Sequence, residues 1–306
     1  MMHDLSGVYA AAVTPVTDDL RPDPDGLLNL LDFLAGRGCH GVLLLGTTGE
    51  GPSFSIDERK LIFEAGRRIR ESHPGFRLLA GVGMPALGDT IDLARFVFKL
   101  DYDAVVVLPP YYYRTAGEAG LYTWYGEVIN RAVPEGRGLL GYHIPGVSGV
   151  GLSVDLLRRL KDSHPDRFLG LKDSSASREH VQALGDAFGS DLLTLNGTDR
   201  LFSDALAAGA SGCITAMANL VSPDLRQVWD AHLGGRNNPG AQVRLDRARS
   251  ISERFPPAAA LIKDLLAEFH RFPRWGVKPP LEPLDPARAE RARLAWRTRG
   301  QIADEN

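Results

Sequence analysis

Lys172 is one of six lysines in the chain and closes an apolar run, Phe168-Leu169-Gly170-Leu171, with Asp173-Ser174-Ser175 directly after it. An ammonium at the end of a buried strand is costly: desolvation favours the neutral amine and lowers a lysine pKa by roughly 3 to 5 when burial is complete. A neutral amine attacks a ketone to form a Schiff base. The alternative for this residue taken alone is a lysine that snorkels from a strand end to water. Two other groups of residues suit the same chemistry. Gly46-Thr47-Thr48-Gly49-Glu50-Gly51 sets two hydroxyls and several amides in a glycine-flanked turn, which either cradles a carboxylate or phosphate or is simply a tight turn with a threonine cap. Tyr142, in Tyr142-His143-Ile144-Pro145, is either a proton shuttle or a core aromatic.

These groups act together only if the fold gathers them. Short β-rich runs, Val8–Val13, Gly41–Leu45, Arg77–Val82, Ala104–Leu108, Gly138–His143, Phe168–Lys172, Leu192–Asn196 and Gly212–Thr215, alternate with segments of helical period. Leu27, Leu30, Leu31 and Leu34 share one helix face, and Leu61, Ile62, Ala65 and Ile69 share another behind a Ser55-x-x-Glu58 capping box. Ile91, Ala94, Val97 and Phe98 follow Asp89, and Leu156, Leu157 and Leu160 follow Ser153, in the same way. Apolar strands separated by amphipathic helices imply a parallel sheet covered by helices. Eight such units predict a (β/α)8 TIM barrel over residues 1–222, and the helical, proline-broken segments that follow predict a C-terminal helical region over 223–306. An open dinucleotide-binding sheet would carry Gly-x-Gly-x-x-Gly after its first strand, where this chain has Thr14-Pro15-Val16-Thr17. In a barrel, Thr47/Thr48, Tyr142 and Lys172 all fall at C-terminal strand ends, the rim where reactive groups converge.

The chain has 306 residues, 44% hydrophobic and 24% charged, with a net charge of −3 and no long run of like charge. That balance offers no electrostatic case for a nucleic-acid or membrane partner and points to a small-molecule substrate. Cys39 and Cys213 lie far apart in apolar stretches and are expected as buried thiols, and the eight histidines show no metal-ligand spacing. Met1-Met2-His3-Asp4-Leu5-Ser6 lacks a basic and then apolar leader, and no run reaches the roughly 18 apolar residues of a membrane span. A cytoplasmic protein is expected.

Taken in order, Gly46-Thr47-Thr48-Gly49-Glu50, Pro110-Tyr111-Tyr112, Tyr142-His143-Ile144-Pro145 and Gly170-Leu171-Lys172-Asp173 resemble the motifs of the pyruvate-dependent class I aldolases and lyases. That family includes dihydrodipicolinate synthase and N-acetylneuraminate lyase, and the resemblance covers about residues 6–222. It implies that Lys172 forms a Schiff base with a 2-oxo acid, that Tyr142 relays protons, and that Thr47, Thr48 and Gly49 hold the substrate carboxylate. It also implies that Tyr112 reaches a neighbouring subunit's site in a homo-oligomer, usually a tetramer. The imine is itself an electron sink, so neither cofactor nor metal is expected.

Departures from the family pattern narrow the substrate. Val147 stands where the lysine-biosynthetic synthases carry an arginine for the second substrate's carboxylate. Asp199 matches a sugar-chain ligand of the neuraminate lyases, but Arg200 and Ala216 replace two others. Lys172-Asp173-Ser174 and Ala216-Met217-Ala218-Asn219 look more like the branch handling 2-oxo-4-hydroxy acids (4-hydroxy-2-oxoglutarate aldolases) and 2-keto-3-deoxy sugar acids, with the distal end of the substrate meeting Ser174, Asp199 and Thr215. An aldolase or lyase releasing pyruvate is therefore expected. A dehydratase on the same scaffold, a dihydrodipicolinate synthase and a non-catalytic 2-oxo-acid binder are the alternatives.

Overall fold

The structure, a computed structural model, describes residues 5–300; Met1–Asp4, within the segment read as lacking a leader, lie outside the described residues. Eight strands run parallel in sequence order: β1 (Gly7–Ala11), β2 (Gly41–Leu44), β3 (Arg77–Gly81), β4 (Ala104–Val107), β5 (Gly138–His143), β6 (Phe168–Asp173), β7 (Leu193–Asn196) and β8 (Gly212–Thr215). β8 pairs back onto β1, so the sheet closes into the expected barrel. Side chains alternate between the two faces of each strand. Leu43, Val106, Leu140, Leu195 and Ile214 fill the barrel interior together with Tyr142, so His143, the next residue, points out towards the helices. Tyr142 pairs with Lys172 and His143 with Asp173 across β5 and β6. Close passage of β6 along β7 requires Gly170: a Cβ there would lie 1.9 Å from the carbonyl oxygen of Leu193.

Helices α1 (Pro24–Gly36), α2 (Ile56–Arg67), α3 (Leu87–Lys99), α4 (Glu118–Ala132), the short α5 (Pro145–Ser148), α6 (Val154–Ser163), α7 (Arg178–Phe188), α8 (Phe202–Ala207) and α9 (Ala218–Leu233) surround the ring. α1 buries Leu27, Leu30, Leu31 and Leu34 as its period requires. Ser55 and Glu58 close a full capping box on α2, and Ser153 caps α6. Two details differ from the sequence-based expectation. Leu61 is 51% exposed, because α2 instead turns Ile62, Phe63 and Gly66 to the barrel. Gly66 permits that approach, since a Cβ there would sit 2.4 Å from Leu44 Cδ1. α3 begins at Leu87, so Asp89 lies inside its first turn, where a carboxylate favours the free amides of the helix start.

α10 (Pro239–Arg254), α11 (Ala258–His270) and α12 (Pro286–Thr298) follow within the described residues. Leu245, Leu261 and Trp296 from these helices share one core cluster with Leu27 and Val42 of the barrel layers. A buried ion pair also joins the two parts: Lys263 Nζ of α11 lies 2.6 Å from Glu50 Oε1, and neither side chain is exposed. Burial pulls the Lys263 pKa down, opposed by Glu50. Removing one partner of such a pair strands a charge, so Lys263→Met should cost about 3–5 kcal/mol of stability. The check is a fall in denaturant midpoint at constant m-value; a loss under about 1 kcal/mol would show that Glu50 finds another partner.

Cys39 and Cys213 are buried and unpaired, as expected. Burial pushes the Cys39 thiol up to about 12, well away from a reactive thiolate. No helix among the described residues is long and apolar enough to cross a membrane.

Candidate active site

Lys172 and Tyr142 meet inside the C-terminal rim of the barrel. Lys172 is 3% and Tyr142 6% exposed, and Nζ stands 4.1 Å from the centre of the Tyr142 ring, over its face. The Tyr142 hydroxyl lies 3.2 Å from Thr47 Oγ1 at the end of β2. Burial alone would push the Tyr142 pKa up. The charge on Lys172 and hydrogen bonds with Thr47, Lys172 and Ser174 outweigh it and hold the phenol below its ordinary value. Four of the expected residues, Lys172, Tyr142, Thr47 and Ser174, therefore come together: an amine, a phenol with lowered pKa, and two hydroxyls.

The turn carrying Thr47 and Thr48 is held in an unusual backbone. Leu45 (φ 56°) and Glu50 (φ 57°) flank it in the left-handed region, sparsely used by side chains of this size. The amide of Glu50 donates to Thr47 O and that of Gly51 to Gly46 O, while Thr14 Oγ1 donates to Gly49 O. Among the described residues no backbone acceptor takes the amides of Thr47, Thr48 and Gly49, leaving donors free to receive an anion. Arg59 of α2 braces the turn from behind, donating to Phe54 O at 3.1 Å and to Gly51 O. Burial brings its pKa down to about 10, with Tyr111 acting in the opposite sense. Arg59 also borders, with Thr47 and Tyr142, a cavity of about 30 Å³. Sequence reading passed over Arg59, although its position three residues before Ile62 puts a cation on the buried face of α2.

Other expected residues lie elsewhere. Tyr112 is 77% exposed and stacks edge-on against Tyr113 at 5.3 Å; within this chain it does not join the cluster. Thr215 and Asp199 are fully buried. Ile214 faces the interior, so Thr215 faces the helical layer, where its hydroxyl accepts from the Ala218 amide at 3.3 Å. Asp199 lies against Arg249 of α10 at 3.5 Å. Burial pushes its pKa up, opposed by Arg249 and Thr215. The partners that the structure shows for these two residues, Ala218 and Arg249, belong to the helical layer and not to the Lys172 cluster. Val147 is 61% exposed on α5. Arg200 is committed to Glu253 at 2.6 Å and Ser250 at 2.9 Å, whereas Arg114 lies along Gly149, where an added Cβ would come 2.8 Å from its Cδ.

The histidines hold one grouping that their sequence spacing conceals. His143, Asp173 and His180 bring ligand-capable atoms within 4.8 Å of one another behind the Tyr142/Lys172 pair. The geometry suits a brace better than a metal cage. His143 Nδ1 accepts the Leu152 amide at 2.9 Å, which places the neutral ring's proton on Nε2. The two imidazoles stack at 4.4 Å and 19°, so their in-plane lone pairs run side by side instead of converging. Asp173 accepts from the Ser175 amide and hydroxyl at 3.0 and 3.2 Å. Burial and then the neighbouring His180 draw the His143 pKa down, against Asp173 and the Leu152 amide.

The profile of the dihydrodipicolinate synthetase family matches residues 4–293. An uncharacterized DapA-like lyase of Chloroflexus aurantiacus is 38% identical over 96% of this chain and 97% of its own length. A 4-hydroxy-tetrahydrodipicolinate synthase of Nitrobacter hamburgensis is 32% identical over 78% of this chain and 77% of its own. Among solved structures, YagE from E. coli K12, a prophage protein of the dihydrodipicolinic acid synthase family crystallised with pyruvate, superposes with a TM-score of 0.90 at 24% identity, covering 97% of this chain and 99% of that one. The chain thus belongs to the dihydrodipicolinate synthetase family and is an enzyme of the lyase class.

Proposed function

We propose that the protein is a Schiff-base aldolase that releases pyruvate from 2-oxo-4-hydroxy acids or 2-keto-3-deoxy sugar acids. The observation that carries this reading is the buried Lys172 amine 4.1 Å from the ring of Tyr142, whose hydroxyl meets Thr47. Lys172 attacks the C2 carbonyl and water leaves, giving an iminium conjugate to C3. Tyr142 takes the C4 hydroxyl proton, the C3–C4 bond breaks, and its electron pair passes into the iminium to leave an enamine and an aldehyde. Protonation at C3 and hydrolysis return pyruvate and the free lysine. The free amides of Thr47, Thr48 and Gly49, with the threonine hydroxyls beside them, hold the carboxylate, so that the breaking bond lies across the iminium plane. YagE, which shares this fold, was crystallised in complex with pyruvate.

The exposed Tyr112 and Tyr113 rings fit a role between subunits, with Tyr112 reaching into a neighbouring protomer's site in a homo-oligomer. Two buried unpaired thiols suit a reducing compartment, so we place the enzyme in the cytoplasm.

Substrate choice turns on Val147. A second carboxylate, at the distal end of a substrate and away from the Thr47–Gly49 amides, is costly to bury without a cationic partner, and an arginine fork is the usual one. With valine at this place and Arg200 turned to Glu253, L-aspartate semialdehyde should be a poor acceptor. Side-by-side kcat/KM values for condensation of pyruvate with the semialdehyde and for pyruvate release from 2-keto-3-deoxy acids test this. Release is expected to be faster by an order of magnitude or more. The reverse order would make the chain a biosynthetic synthase, with Arg114 beside Gly149 as the relocated anchor. Consumption of the sugar acid without pyruvate release would make it a dehydratase.

A further inference from the structure

We propose that Lys263 is a positioning residue for the active site: with the backbone amide of Lys278 it clamps Glu50 and so holds the Thr47–Gly49 turn in its carboxylate-receiving shape. This rests on the assignment of that turn as the substrate cradle. Among the described residues two backbone hydrogen bonds cross the turn, Glu50 to Thr47 and Gly51 to Gly46, yet both of its flanking residues sit in the left-handed region. A backbone of this kind persists where its surroundings over-determine it. Thr14 and Arg59 hold its carbonyls at Gly49 and Gly51, and the hold on Glu50 comes from 213 positions away. Lys263 Nζ donates to Glu50 Oε1 at 2.6 Å and to Gly276 O at 2.6 Å, and the Lys278 amide donates to Glu50 Oε2 at 2.8 Å. Both carboxylate oxygens and the ammonium are therefore engaged. A buried ion pair adds little stability over a well-packed apolar pair, so its value here lies in specifying one geometry. That geometry reaches the chemistry through Thr47, whose carbonyl accepts from Glu50 and whose hydroxyl meets Tyr142.

The test is the double variant Glu50→Gln/Lys263→Met, which removes both charges together. Borohydride labelling is followed against pyruvate concentration. Because Lys172 is untouched, labelling at saturation should stay within roughly threefold, while the half-saturating pyruvate concentration rises about tenfold or more, the split expected when ground-state positioning is lost. Asp264→Asn/Arg293→Leu breaks a neighbouring pair between α11 and α12, 2.5 Å long; it should lower the unfolding midpoint without moving half-saturation. An unchanged half-saturation in the first variant, or an equal rise in the second, overturns the clamp. Hydrogen exchange gives a readout independent of chemistry: amides of residues 46–51 should exchange about tenfold faster in the double variant, with those of β2 and β3 unaltered. Failure of the unaltered protein to label would strike the Schiff-base reading alone, and the exchange result would still decide the clamp. Should the double variant not fold, native-state exchange on the unaltered protein replaces it: the Lys278 amide and those of Glu50 and Gly51 should open as one unit, and separate openings overturn the proposal.

Discussion

Borohydride added with pyruvate should fix one pyruvate-derived group per chain on Lys172, and Lys172→Ala should abolish both the label and turnover. Imine formation loses one water and reduction adds two hydrogens across the C=N bond, so the adduct is stable and can be located by peptide mass. Removing a covalent nucleophile has cost other enzymes on the order of 10⁴ to 10⁶ in rate, and a loss on that scale is expected here. A folded Lys172→Ala variant that still releases pyruvate at more than about a hundredth of the normal rate would end the covalent mechanism.

The environments of the other lysines sharpen this test. Lys263 is the only rival in burial, at 1% exposure, but its ammonium is held by Glu50 and by Gly276 O on the far side of the Thr47–Gly49 turn. Lys278 bonds Glu58 at 2.5 Å and lies over the Phe54 ring. Lys161 donates to Pro165 O, and Lys60 lies over Phe96 at the helical surface. Lys172 alone of these faces the barrel interior beside a phenol. A label on Lys263 would mean that the clamp opens far enough to admit a 2-oxo acid, and it would overturn the assignment of both residues at once.

The same physics explains what could be read in the chain before its structure. Strand alternation and helical period are local, so the eight strands emerge within a residue or two of their positions, and a closed ring follows from their number. Lys172 was conspicuous as a cation ending an apolar run. Lys263 carries the same signal, in Ala259-Ala260-Leu261-Ile262-Lys263, but its partner Glu50 lies 213 positions away and no local pattern points to it. Register is likewise non-local. That Tyr142 pairs with Lys172, and therefore His143 with Asp173, depends on how β5 slides against β6, since a shift of one residue would turn every side chain to the other face. Asp199 and Thr215 show the same limit from the other side: their types suit a sugar hydroxyl, but the alternation set by Ile214 turns Thr215 to the helices, and Arg249 from α10 holds Asp199 there.

Tyr142→Phe should leave imine formation largely intact while slowing turnover by roughly 10² to 10⁴, the usual contribution of a positioned acid or base. Phenylalanine keeps the ring beneath Lys172, so the lysine's packing survives and the borohydride label should still form. What disappears is the hydroxyl that meets Thr47 and takes the C4 proton. The pH dependence separates this role from a merely structural one. As a base Tyr142 works deprotonated, and Lys172, Thr47 and Ser174 hold its pKa below the ordinary value of 10. The rate of carbon–carbon cleavage in the unaltered enzyme should therefore rise with pH and level off below pH 10, at lower pH than an ordinary phenol would allow. In Tyr142→Phe that ascending limb should vanish and leave a flat, low rate. A variant with near-normal turnover, or one that is slow yet keeps the limb, would return Tyr142 to the barrel core and pass the proton transfer to another group.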